Sequence, residues 1–114
     1  MLDRLTTHCR VVIIANMKAN PLFNRRIRMT EESFVELVAW KLPNPIAGSV
    51  HGYKYRLAFV VKGACVLRYD NEAGKGDHRH WGETEAPYAF TDIDQMVADF
   101  FNDVTRWRHE HSND

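Results

Sequence analysis

Cysteine is almost missing from this chain: Cys9 and Cys65 are the only two. A secreted scaffold held by disulfides would carry more, in a denser pattern. Cytoplasmic residence is therefore the expectation, with Cys65 as a small core residue. Long apolar runs are missing as well. Val11 to Ala15 is far short of the roughly 20 residues of a membrane helix. It is also too short for a secretory signal, so no membrane contact is expected. No GxSxG, HExxH or paired CxxC occurs, which leaves a serine hydrolase or a zinc finger without support. Net charge is missing too, with fifteen basic side chains against fifteen acidic. A zero total argues against a globally basic nucleic-acid binder but not against a local patch.

The zero hides a split. Residues 1–69 hold eleven Lys and Arg against four Asp and Glu, and residues 70–114 hold four against eleven. The 114 residues suit one domain with a core of its own. Residues 1–16 read as an N-terminal extension. They are either an added strand at Val11 to Ile14 or sequence upstream of a start at Met17. Residues 17–114 read as a single domain.

Period-two patterning dominates the middle of the chain. Arg26 to Met29 alternates, Thr30 to Ser33 turns, and Phe34 to Leu42 is apolar on both sides, as in a covered strand. Pro43-Asn44-Pro45 ends it. Tyr53, Tyr55, Leu57, Phe59 and Val61 then form one face of a strand, with Lys54, Arg56, Ala58 and Val60 on the other. A three-residue loop at 62–64 leads into Cys65 to Asp70. That register joins the apolar faces and sets Arg56 opposite Asp70, whereas a two-residue loop would pair apolar positions with charged ones. A polar loop follows at 71–77, a short strand at His78 to Trp81 and a turn at 82–87. The glycines of Gly74-Lys75-Gly76 lack the GxxxxGK[ST] frame and a following helix, so this is a hairpin loop rather than a P-loop.

Ile93, Met96, Val97, Phe100, Phe101, Val104 and Trp107 recur at helical spacing, with Thr91 as the expected N-cap and Asp94 three positions on. This stripe is core, expected to cover the Tyr55/Leu57/Phe59 face. The expected fold is α+β: an antiparallel sheet of about four to five strands with one C-terminal amphipathic helix packed on one face.

A helix on one face leaves Lys54, Arg56, Arg68 and Asp70 on the other. His78 and His80, two apart on a strand, can share that face. Such a set fits metal-independent RNA cleavage. One imidazole takes the ribose 2′-hydroxyl proton, the other protonates the leaving 5′-oxygen, and an arginine holds the phosphate. A divalent metal held by His78, His80 and Asp70 or Asp77 is the minority alternative. The plain alternative to both is a solvated His-Arg-His edge beside an ordinary Arg56–Asp70 pair.

Arg68-Tyr69-Asp70-Asn71, followed by Gly74-Lys75-Gly76-Asp77-His78-Arg79-His80, resembles the TumE-like family of toxin–antitoxin toxin components. Tyr53-Lys54-Tyr55-Arg56-Leu57, Pro87-Tyr88-Ala89-Phe90-Thr91 and Ala98-Asp99-Phe100 extend the resemblance over about residues 19–106. It implies a small cytoplasmic prokaryotic toxin, bound by a helix-turn-helix antitoxin encoded beside it. The positions that carry over are Arg68, Tyr69, Asp70, Asn71, Asp77, His78 and His80.

The expected site therefore has His78, His80 and Asp70 as catalytic residues, with the carboxylate orienting an arginine or histidine. Arg56, Arg68, Lys54 and Lys75 bind phosphate. Tyr69, Asn71 and Asp77 support them. A binding module that recognises protein or nucleic acid without turnover is the alternative function, as is a metal-dependent nuclease.

Overall fold

A computed structural model describes residues 19–111. The expected N-terminal extension, with Cys9, lies outside the described residues. Six strands run antiparallel in chain order across one sheet: β1 (Asn20–Thr30), β2 (Ser33–Lys41), β3 (Tyr53–Val61), β4 (Ala64–Glu72), β5 (Gly76–Trp81) and β6 (Thr84–Pro87). One helix, α1 (Ile93–Glu110), packs on a face of the sheet. The α+β architecture is the one expected, with more strands. The added strand is β6, which uses residues read from the sequence as a turn. Gly82, at φ +62°, tightens the turn enough for Trp81 to pair with Thr84.

Alternation decides which residues the helix covers. Val35, Leu37 and Ala39 of β2, Tyr55, Leu57 and Phe59 of β3, and Leu67 and Tyr69 of β4 are all buried against Met96, Phe100 and Val104. Trp107 closes the far end, its ring edge-on to Phe59 with centroids 5.6 Å apart. Each fully buried side chain of this size contributes about 1.5–3 kcal/mol relative to exposure, so this face anchors the fold. Ala58, Val60, Phe34 and Cys65 make a smaller apolar cluster. The Cys65 sulfur is not a free thiol. No helix among the described residues is long and apolar enough to cross a membrane.

The β3–β4 connection differs from the expected three-residue loop. Val61 pairs with Ala64 across a two-residue turn, Lys62 and Gly63, both at positive φ. That is the turn type whose twist matches a hairpin. A register shift next to Val60 then inserts one residue, and from Phe59↔Leu67 onward the pairing is the expected one, with Arg56 opposite Asp70. The bulge reconciles a tight turn with matched apolar faces.

The N-cap also differs. Asp92, one position beyond Thr91, has the extended backbone of a cap, and its Oδ1 accepts from Gln95 N at 2.7 Å. Asp94 sits in the first turn, where a negative charge suits the helix dipole.

Candidate active site

Sheet register assembles a charged cluster on the face away from α1. Arg56, Asp70 and His78 stand in one cross-strand row; Glu36, Ala58, Arg68, His80 and Glu85 stand in the next. Neighbours within and between the rows therefore meet. Arg68 Nη2 is 3.0 Å from His80 Nε2 and its Nε is 3.2 Å from Asp70 Oδ2. Asp70 Oδ1 is 4.0 Å from His80 Nε2. The His78 and His80 rings lie nearly parallel, 6.0 Å between centroids. The sequence expectation that Lys54, Arg56, Arg68, Asp70, His78 and His80 share a face agrees with this register.

Two carboxylates missed in the sequence complete the cluster. Glu36 Oε1 accepts from Arg56 Nη2 at 2.7 Å, and its other oxygen takes Arg26 at 3.0 Å. Glu85 Oε2 is 3.0 Å from His78 Nε2, 3.8 Å from His80 Nε2 and 3.1 Å from Lys75 Nζ. Alternation along β2 puts Glu36 on the right face, which is a signal the sequence does carry. Glu85 has none, because its strand reads as a turn.

Several of these groups are deeply buried. Arg56 and His78 are each 5 % exposed, Asp70 is 7 % and Lys54 is 9 %. Burial holds the Lys54 ammonium below its ordinary pKa, with Asp70 opposing the shift. Burial also lowers Arg56, against the pull of Glu36. The His80 imidazole is held low by burial and then by the Arg68 charge. Arg56 Nε and Nη1 and His78 Nδ1 are buried without a hydrogen-bond partner. Unmet buried polar atoms are uncommon and costly, and a ligand-binding role is one explanation for them.

Three expected supporting residues face the other way. Tyr69 is core, and its hydroxyl donates to Asp103 of α1 at 2.7 Å. Asn71 is fully buried. Its Oδ1 accepts from Tyr55 N and its Nδ2 donates to Tyr53 O, taking over from the β3–β4 backbone pairing that ends at Arg56 and Asp70. Its carbonyl accepts from Lys54 Nζ at 2.5 Å, which fixes that lysine.

Asp77 alternates with His78 and so points to the helix face, where it accepts from Tyr55 Oη at 2.6 Å, His51 Nε2 at 2.7 Å and Ser49 Oγ at 3.1 Å. It cannot join His78 and His80 around a metal. Among the described residues no three His, Cys, Asp or Glu side chains are arranged to hold a metal ion.

Ser49, His51 and Asp77 have the composition of a hydrolase triad but not its order. Ser49 and His51 both bond the carboxylate, and His51 Nδ1 accepts from Tyr53 N at 3.1 Å. With both nitrogens engaged and its ring 3.9 Å from that of Phe90, His51 fastens the 43–52 loop. Gly48, at φ +94°, completes that seam, since a Cβ there would meet Gly76 N at 2.9 Å. Gly76 thus serves backbone contact, while a Cβ at Gly74 would meet nothing and its φ of +85° serves the turn.

A family model described as Toxin TumE matches residues 2–108. The match begins earlier than the residues that carry the resemblance in the sequence. No curated protein and no solved structure matches the chain.

Proposed function

The chain belongs to the Toxin TumE family, and on that premise we propose that it is the toxin half of a prokaryotic toxin–antitoxin pair and acts in the cytoplasm as a metal-independent endoribonuclease. The observation that carries the ribonuclease reading is the neutral His80 beside His78, within a cluster that also holds Arg56, Arg68 and Asp70. His80, disfavoured as a cation, is the base. It removes the 2′-hydroxyl proton, and the 2′-oxygen attacks phosphorus. His78 is the acid and gives a proton to the departing 5′-oxygen. The products are a 2′,3′-cyclic phosphate and a 5′-hydroxyl. Arg56 and Arg68 stabilise charge on the phosphate as it develops, and Lys54 and Lys75 add positive potential. Asp70 orients Arg68. An antitoxin of helix-turn-helix type restrains the protein until it is removed.

The test is incubation of the purified full chain with total RNA in the presence of a chelator. Cleavage is expected to persist with chelator and to disappear in both His80→Ala and His78→Ala variants that melt like the parent. Loss of cleavage on chelation would instead return the metal-dependent reading.

One observation favours a binding role without turnover: the burial of Arg56, Asp70 and His78, which suits a fixed polar network. That role gives complex formation with the antitoxin or RNA, and intact RNA in the same assay.

A further inference from the structure

Glu85 Oε2 lies 3.0 Å from His78 Nε2 on the face away from α1. Its carboxylate is 38 % exposed, against 7 % for the His78 side chain. Three side chains gather around it. Lys75 Nζ comes from the β4–β5 turn, and His78 and His80 come from β5, all within 3.0–3.8 Å of the same oxygen, Oε2. Lys75 and His78, from two segments, put two donors on one oxygen, which is an arrangement that binds a phosphate oxygen, with the His80 ring beside them. Glu85 itself sits on β6, the four-residue edge strand that pairs only with β5. Its carboxyl is held below its ordinary pKa chiefly by Lys75, so it is charged at neutral pH.

We infer that Lys75 and His78 form a phosphate-binding subsite that Glu85 occupies as a built-in anion, and that a phosphodiester of single-stranded RNA enters by displacing it. The choice of RNA as the ligand rests on the ribonuclease reading above. The displacement gives a buried histidine a route to a substrate, because the partly exposed carboxylate against its Nε2 is the part that leaves. It also makes the resting site self-neutralised, with a phosphate replacing a carboxylate rather than entering beside it. The unpartnered His78 Nδ1 is a second sign that this imidazole is not held for structure alone.

The probe is inorganic phosphate, titrated into the full chain at constant ionic strength while the imidazole signals of His78 and His80 are followed by NMR. Glu85→Gln keeps the shape and removes the charge. It is expected to bind phosphate about three- to tenfold more tightly than the parent, the scale set by one partly exposed ion pair. Lys75→Ala is expected to bind it more weakly. Glu83→Gln makes the same change of net charge on the adjoining turn and is expected to leave the affinity as it was. Equal affinity in the parent and Glu85→Gln, or an equal gain in Glu83→Gln, would overturn the inference. RNA takes no part in this titration, so a chain that cleaves nothing can still show the subsite, and an active one can lack it.

Discussion

Arg68 Nη2 lies 3.0 Å from His80 Nε2, directly across the β4–β5 pair. A guanidinium can only donate, so the imidazole nitrogen accepts and His80 is neutral in this contact. Burial works in the same direction and more strongly, while Asp70 and Glu85 oppose it.

An NMR titration of the imidazole signals should therefore find His80 below the ordinary histidine range. Arg68→Gln should move it upward by removing a positive neighbour. The folded state prefers neutral His80, so this contribution to stability is present above the unfolded value, near ~6.5, and is lost as pH falls through that value and then the folded one. An unchanged titration in Arg68→Gln would contradict the pairing.

Asp77 tests which side of the sheet matters. Removing it leaves Tyr55 Oη and His51 Nε2 without their acceptor at a half-buried site. Asp77→Ala should cost about 2–4 kcal/mol in urea melts, and Tyr55→Phe about 1 kcal/mol. Activity per folded molecule should stay close to that of the parent, because the carboxylate faces away from His78 and His80. A large loss of cleavage in folded Asp77→Ala would return it to the active face.

The helix start gives a local test. Asp92→Ala should cost about 0.5–2 kcal/mol by thermal or urea melting. Thr91→Ala, one residue outside the cap, should change stability little. The reverse order would move the cap to Thr91.

Particular elements explain what the sequence made legible. The α1 stripe and the Tyr55/Leu57/Phe59 face were readable because period 3.6 and period 2 are fixed by backbone geometry. The Arg56–Asp70 pairing was readable because only one register joins two apolar faces. The turn that achieves it was not, since a two-residue turn plus a bulge and a three-residue loop give the same downstream register. Asp92 was missed because Thr91 satisfies the same capping chemistry one position earlier. Asp77 carries over on the motif, but which face it takes follows only from the strand, since adjacent strand residues face opposite ways. Glu85 was hidden by a strand of four residues in a segment rich in turn formers. Local pattern therefore located the histidine face, but Glu36 and Glu85 join it only through strand pairings, Glu36 with Ala58 and Glu85 with His80.

The most direct test of the active-site assignment is the chemistry of the ends left on a defined single-stranded RNA by the full chain, with chelator present. The expected result is 2′,3′-cyclic phosphate and 5′-hydroxyl ends. His80→Ala should lower the rate about 10²–10⁴-fold, the usual contribution of one acid or base, with melting unchanged. Ends carrying 5′-phosphate and 3′-hydroxyl, or a folded His80→Ala that cleaves at the parent rate, would contradict it.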